Sequence, residues 1–158
     1  MRRALRARAR STGQAMVEFA IVAPIFFLML FAIIDFGRYV YYVQVLNNAA
    51  REGARYAIVH GSNSFPSSGP PPAGMTSSDP SGANVVAVVR NYATGVIGDS
   101  TVLQIQPSWL QSTGAPGGTN AREQQVLVTV TYQFHSVIPV VPIPPVTITG
   151  ESLLVINN

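Results

Sequence analysis

Hydrophobic and polar positions divide the chain into a long apolar stretch near the N-terminus, a polar middle and an alternating C-terminal part. Residues 19–34 are sixteen consecutive positions without a charge, and the apolar run extends back to Ala15 with Glu18 as its interruption. At about 1.5 Å per residue, twenty helical residues span about 30 Å, the thickness of a hydrocarbon core. The pattern predicts a transmembrane helix over residues 14–35, in which Pro24 is tolerated.

The helical pattern continues past the apolar run, over residues 36–60. Small side chains cluster in this continuation, and they let another helix or a sheet approach closely. We expect them to pack within the same chain rather than on a neighbouring subunit. The helix-packing candidates are Ala49, Ala50, Gly53 and Ala54.

Two pairs of opposite charges occur at helical spacing in the same region. Asp35 and Arg38 are three residues apart, and so are Glu52 and Arg55. Side chains at this spacing lie on one face of a helix, so both pairs are candidate ion pairs. Three tyrosines stand where an aromatic belt at a membrane–water interface would lie. They are Tyr39, Tyr41 and Tyr42.

A polar segment follows, and glycine, proline and serine make up sixteen of the twenty-two residues 61–82. This composition predicts a linker or an exposed loop that builds no core. Apolar positions at helical spacing then predict a second helix over Ala83–Thr94. Asp79 or Ser81 is its expected N-terminal cap, and Gly95 is expected to stop it.

The C-terminal part alternates between apolar and polar residues in the manner of β-strands. Gln124–His135 is the clearest strand, and Thr101–Gln106 is a weaker one. Two short strands are predicted over Val146–Thr149 and Ser152–Ile156, joined by a hairpin around Gly150. The predicted fold class is α+β: a long N-terminal transmembrane and stalk helix, a second helix, and an antiparallel sheet of three to four strands within a small domain at residues 83–158.

Residues 136–146 read SVIPVVPIPPV and contain no charge. Their prolines exclude an interior strand. The favoured interpretation is a loop folded over the edge of the sheet. The alternative is an exposed apolar contact for a partner subunit or for the membrane surface.

The distribution of charge gives an orientation to the predicted membrane helix. Five of the ten arginines lie within the first ten residues, and the rest of the chain carries five arginines against seven acids. The high pI therefore belongs to the N-terminal tail, and nothing indicates nucleic acid as a partner. Under the positive-inside rule, residues 1–13 form a basic cytoplasmic leader and the bulk of the chain lies outside the cytoplasmic membrane.

Candidate chemistry is sparse. The chain has no cysteine, and its histidines, His60 and His135, are far apart with no carboxylate at a metal-ligand spacing. It also lacks a phosphate-binding glycine loop and a serine-elbow motif. The sequence therefore predicts no catalytic residue, no metal and no cofactor, and an enzyme is the remotest interpretation.

The N-terminal motifs resemble a known family. A basic leader, Gly13, four residues, Glu18 and an apolar run are similar to the signal of type IV prepilins. More narrowly, the motifs VEFA at 17–20, DFGR at 35–38 and NAAREGARYA at 48–57 resemble the TadE-like family of tight-adherence (Flp-type) pilus systems. Beyond Gly61 the likeness is limited to a general order of one helix followed by strands.

The resemblance implies a pilin-like fold and a role as a minor pilin or pseudopilin in pilus assembly or secretion. It further implies cleavage by a prepilin-type peptidase between Gly13 and Gln14. Glu18 would then pair with the N-terminal amine of a neighbouring pilin-like subunit and set the register of assembly, since a charge in a low-dielectric bundle is stable only when paired. The implied partners are other pilin-like subunits, the assembly machinery and the bilayer. The alternative is a single-pass, membrane-anchored binding module or sensor that keeps its leader.

Overall fold

The computed structural model describes residues 2–137 and 144–157, with side chains described from Gly13 onward. The chain forms two compact units. One comprises Met1–Arg38 with Ser136–Pro144, and the other comprises Tyr39–His135 with Pro145–Asn158. The predicted segment boundaries at 13, 35, 60 and 82 concern membrane topology and composition rather than compactness, and they stay predictions.

Helix α1, Arg2–Val59, includes the predicted leader, the apolar run and Pro24 without a break. It extends twelve residues before the predicted start at Gln14, and helical hydrogen bonding continues across Gly13. Its most apolar window has a mean hydropathy of 2.6, and none of that window is buried. The apolar run is therefore not the core helix of a globular domain, and by length and composition it can cross a membrane.

The second unit contains the remaining elements. They are helix α2, Ala83–Ile97, a 3-10 turn at Ser100–Val102, and the strands β1, Gln104–Leu110, β2, Gln125–Phe134, and β3, Val146–Val155. The strands form one antiparallel sheet in the order β1-β2-β3. The α+β fold class is confirmed, with three strands in the part of the chain that the structure describes.

Two predicted element boundaries were wrong. Helix α2 passes through Gly95 and ends at Ile97, with Gly98 as its C-cap, because a helix interior tolerates one glycine at a cost of about 1 kcal/mol. The first strand starts at Gln104 and continues through Pro107 to Leu110. Proline is acceptable there because β1 is an edge strand.

The predicted hairpin around Gly150 was also wrong, because β3 is continuous through that residue. Gly150 pairs with Val130 of β2. A Cβ at Gly150 would overlap the backbone of Leu46 in α1. This glycine therefore permits a close approach of helix to strand and does not form a turn.

The core of the second unit lies between the sheet and the two helices. From the sheet, Val126, Val128 and Val130 are fully buried, as the alternation of β2 predicted. Helix α2 contributes Val85 and Val89, and Ala93 is buried beside them. Tyr92, which the helical spacing placed on the same face, is instead exposed.

The tyrosines after the apolar run divide between core and surface. Tyr39 and Tyr42 pack edge-to-face against Phe134, with both centroid distances 5.8 Å, and Tyr42 also meets Tyr132. Tyr41 remains exposed. Two of the three residues predicted as an aromatic belt therefore belong to an aromatic cluster of the folded unit.

Residues 61–82, predicted as a linker, are tied into the second unit by hydrogen bonds. Ser68 N donates to His60 O at 2.8 Å, and Asn120 N donates to Pro70 O at 2.7 Å. The indole of Trp109 lies against Gly69 and Gly82, where any added Cβ would overlap the ring. Backbone hydrogen bonds and one buried indole thus order a segment that has few apolar side chains of its own.

Candidate functional site

The first candidate site is the predicted processing region at Gly13, Gln14 and Glu18. All three residues are exposed and lie within α1. The amide Nε2 of Gln14 lies 3.4 Å from Oε1 of Glu18, as expected for residues one helical turn apart. A Cβ at Gly13 would meet nothing within 4 Å. The Glu18 side chain is therefore exposed on the surface of α1.

The second candidate site centres on Asp35, at the C-terminal end of the charge-free run. Asp35 is buried although its neighbours Ile34 and Phe36 are exposed. Nη1 of Arg38 forms an ion pair with Oδ1 of Asp35 at 2.9 Å. This is the predicted pair, and its i, i+3 spacing accounts for the contact.

Asp35 also binds a segment that is distant in sequence. The Ser136 hydroxyl donates a hydrogen bond to Oδ2 of Asp35. The backbone N–H of Val137 donates to both carboxylate oxygens, at 3.2 Å and 3.0 Å. One carboxylate therefore joins α1 to the start of residues 136–146, the proline-rich segment. Nothing in the local sequence signals this contact, since the partners are about a hundred residues apart.

The ends of the proline-rich segment bear on its two interpretations. Ser136 and Val137 are bound at Asp35, and Val137 and Pro144 are exposed. Residues 138–143 lie outside the described residues, so the edge-covering loop and the apolar contact both stay predictions for them.

The predicted helix-packing residues lie in the core of the second unit. Ala49, Ala50 and Ala54 are completely buried. A Cβ on Gly53 would overlap Cγ2 of Val89 in α2 and would lie 3.4 Å from Cγ1 of Val128 in β2. These small residues let α1 approach α2 and the sheet within one chain.

The other predicted ion pair does not form among the side chains that the structure describes. Arg51 and Arg55 are exposed, and Glu52 is partly buried on the same helix. No ion pair is found between Glu52 and Arg55 in that part of the chain. Exposed pairs at this spacing contribute little, so solvent competes effectively with the contact.

Asp79 forms a cluster whose full extent the sequence did not predict. Oδ1 accepts from the backbone N–H of Ala83 at 2.9 Å, and Oδ2 accepts from Asn84 N and Ser68 Oγ, both at 2.8 Å. The Ser81 hydroxyl adds a fourth hydrogen bond, to Oδ1 at 3.0 Å. Burial opposes ionisation, but these donors outweigh it and the pKa of Asp79 is lowered. The cluster caps α2 and fastens the preceding loop.

No cluster of side chains for holding a metal ion occurs among the described residues. His60 Nδ1 lies 2.9 Å from the carbonyl oxygen of Tyr56, and His135 Nδ1 lies 3.0 Å from that of Gln133. No group of three or more His, Asp or Glu side chains in this part of the chain is arranged to hold a metal ion. The described polar clusters, at Asp35 and Asp79, instead join segments of the fold.

Residues 13–55 match the TadE-like protein family. The match covers the exposed apolar run, Asp35 and the buried small-residue face of α1, so the predicted resemblance is confirmed for this TadE-like segment. No curated protein matches the chain, and no solved structure matches it. The TadE-like segment and the apolar helix fit a membrane-anchored protein associated with a tight-adherence system.

Proposed function

We propose that this protein is a TadE-like minor pilin or pseudopilin, a membrane-anchored structural component of a tight-adherence pilus assembly or secretion system. The match over residues 13–55 carries the proposal, because it coincides with an apolar helix that is exposed along its most hydrophobic window. A helix with such a surface needs lipid or other apolar helices around it. Pilin-like assembly supplies both.

The orientation of the protein follows from its arginine distribution. Five arginines precede the apolar run. Positive residues favour the cytoplasmic side, so the N-terminus is cytoplasmic and the sheet-containing unit lies outside the cell membrane.

Processing and pairing are the steps that distinguish a pilin-like subunit from an ordinary anchored protein. A prepilin-type peptidase would cut between Gly13 and Gln14, which removes all five leader arginines. Glu18 would then meet the new amine of a neighbouring subunit. Its exposure supports this role, because an unpaired carboxylate beside hydrocarbon is costly and a cationic partner offsets that cost.

The continuity of α1 through the predicted cleavage bond favours the alternative, a single-pass binding module or sensor that keeps its leader. A peptidase needs an extended substrate, so cleavage requires local unwinding of the helix at Gly13. Glycine lowers the cost of that unwinding by about 1 kcal/mol relative to alanine. The two functions therefore differ in whether residues 1–13 are lost.

Intact mass and co-purification in the native host test the proposal. We expect the wild-type chain to lose residues 1–13 and Gly13→Ala to retain them. A Cβ at Gly13 has open space, so this variant affects recognition rather than packing. Gly37→Ala, also in open space on α1, is the matched control and should be processed normally.

The role of Glu18 is tested by the same measurements. We expect Glu18→Gln to enter the membrane and to lose co-purifying pilin-like subunits, while Glu123→Gln, an exposed acid outside α1, retains them. A wild-type chain that keeps its leader and binds no pilin-like subunit would contradict the proposal and favour the anchored binding module.

A further inference from the structure

Ser136 and Val137 are bound to α1 directly after its charge-free run, residues 19–34. Asp35 follows the run directly, and its carboxylate accepts hydrogen bonds from the Val137 N–H and the Ser136 hydroxyl. Each helical residue rises about 1.5 Å, and Asp35 directly follows Ile34, the last residue of the run. Val137 therefore lies within about one helical turn of Ile34, measured along α1. The Val137 backbone N–H and the adjacent Ser136 hydroxyl both bind this one carboxylate, and together they define where Val137 lies along α1.

Apart from Arg38, which is ion-paired with Asp35 and partly exposed, the side chains next to this contact are apolar and exposed. The exposed fractions are 60% for Ile33, 48% for Ile34, 69% for Phe36 and 58% for Val137. We call these four residues the apolar collar. The collar continues the exposed apolar surface of residues 19–34 without an intervening exposed charge, because the one charge between them, Asp35, is buried.

The polar groups beside the apolar collar are hydrogen-bonded or ion-paired within the protein, which favours contact with lipid. A backbone N–H placed at a hydrocarbon boundary costs free energy unless it is hydrogen-bonded within the protein. The Val137 N–H is bonded to Asp35, and Arg38 neutralises the Asp35 charge at 2.9 Å. The sequence from Ser136 to Pro145 carries no charge that would oppose such contact.

We propose that the apolar collar lies in the interfacial region of the outer leaflet, so that Val137 provides a lipid contact additional to the membrane helix. The occupant is the bilayer rather than a second chain, because the collar is continuous with the surface of the helix that the bilayer covers. This inference rests on the membrane anchoring in the proposed function. It assigns Asp35 a positioning role, which is to hold Val137 at the lipid boundary.

A label at position 137 tests the contact in the full-length chain. The protein has no cysteine, so Val137→Cys accepts a single environment-sensitive nitrobenzoxadiazole group. The labelled chain is reconstituted into phosphatidylcholine–phosphatidylglycerol vesicles that contain spin-labelled lipid. Ile25→Cys in the apolar run is the lipid reference. Val102→Cys, 52% exposed in the other unit, is the aqueous reference.

We expect the label at 137 to show blue-shifted emission and several-fold stronger quenching by spin-labelled lipid than the label at 102. Quenching by aqueous iodide should follow the opposite order. If the label at 137 behaves like the label at 102 while the label at 25 reports lipid, the collar contact is wrong and membrane anchoring stands. If the label at 25 is also aqueous, the anchoring in the proposed function fails instead.

Raising the lipid-to-protein ratio distinguishes a contact of Val137 with the bilayer from a contact with a second copy of the chain. A blue shift at 137 that disappears as the lipid-to-protein ratio rises, without quenching by spin-labelled lipid, would overturn the inference in favour of a protein partner.

Asp35→Asn in the Val137→Cys background tests the positioning role. We expect the label at 137 to become aqueous while the label at 25, measured in the same variant, stays in lipid. An unchanged label at 137 would contradict that role.

Discussion

Asp79 is the residue that converts a serine- and proline-rich loop into part of the folded unit. Its carboxylate accepts hydrogen bonds from two backbone N–H groups at the start of α2 and from the Ser68 and Ser81 hydroxyls. A carboxylate is suited to this position because the first N–H groups of a helix lack intrahelical partners and carry partial positive charge. One side chain therefore caps a helix and fixes the loop that precedes it.

We expect Asp79→Ala to lower the free energy of unfolding by about 2–3 kcal/mol, because it removes a helix cap and leaves buried donors unsatisfied. Chemical denaturation of the full-length chain in detergent, followed by Trp109 fluorescence, measures the change. Asp99→Ala is the control, since Asp99 accepts hydrogen bonds from Thr101 at a fully exposed site, and its loss should be much smaller. Equal losses for the two variants would contradict the capping role.

The stabilisation that Asp79 provides, measured as the difference between wild type and Asp79→Ala, should depend on pH. The pKa of Asp79 is lowered in the folded protein, so the unfolded chain binds this proton more readily. Its stabilising contribution is therefore present at neutral pH and is lost as the pH falls below the ordinary aspartate pKa toward the folded value. We expect the stability difference between wild type and Asp79→Ala to shrink from pH 7 to pH 3. A constant difference would show that the Asp79 charge is not involved.

At the scale of elements, the fold depends on how closely α1 approaches α2 and the sheet. Gly53 faces Val89 of α2, and Gly150 of β3 faces the backbone of Leu46. Both are positions where the absence of a side chain permits contact. Between Leu46 and Gly53, the face of α1 that meets α2 and the sheet carries buried alanines. The close approach therefore extends over several turns of the helix.

We expect Gly53→Ala to destabilise the protein by about 1–3 kcal/mol, because the added methyl would overlap the stiff side chain of Val89. This loss exceeds the gain of about 1 kcal/mol in helix propensity. Gly95→Ala in α2 is the matched control, since a Cβ there has open space, and it should stabilise the protein. Thermal unfolding followed by circular dichroism compares the two variants, and opposite shifts in Tm are expected. A Gly53→Ala protein as stable as Gly95→Ala would contradict the close packing.

At the scale of the whole molecule, the two units have different requirements for solvent. The sheet-containing unit buries its own core, whereas the unit that includes the apolar run leaves large hydrophobic side chains exposed. The exposed residues include Ile21, Ile25, Phe26, Leu28, Met29 and Phe31. Such a surface is stable in hydrocarbon and unstable in water, since it would cost about 25 cal/mol per Å² of exposed apolar area.

We expect the full-length chain to stay with membranes during alkaline carbonate extraction. Replacing Ile25 and Met29 by arginine should release it or prevent its insertion, because each arginine near the centre of a bilayer costs about 3 kcal/mol by insertion scales. Val102→Arg, an exposed apolar position in the other unit, should leave the protein in the membrane fraction. Extraction of the wild-type chain by carbonate would contradict a spanning helix.

The amino-acid sequence by itself determined the features that depend on local periodicity and solvent preference. Sixteen uncharged residues specify a helix that is apolar and long enough to cross a membrane, and the alternation in residues 124–135 specifies a strand with one buried face. The motifs of residues 13–55 likewise predicted the TadE-like match. These features are set by residues within a few turns or pleats of one another, so their pattern is visible in the chain.

Only the tertiary structure decided the features that depend on distant partners. Gly150 permits a helix to approach because Leu46 lies against it, and Ser136 binds Asp35 across about a hundred residues. The loop at 61–82 is ordered because Trp109 and Asn120 lie beside it. A glycine, a serine or a proline-rich loop has the same local preferences whether or not such a partner is present. The contact that gives each its role exists only once the chain has folded.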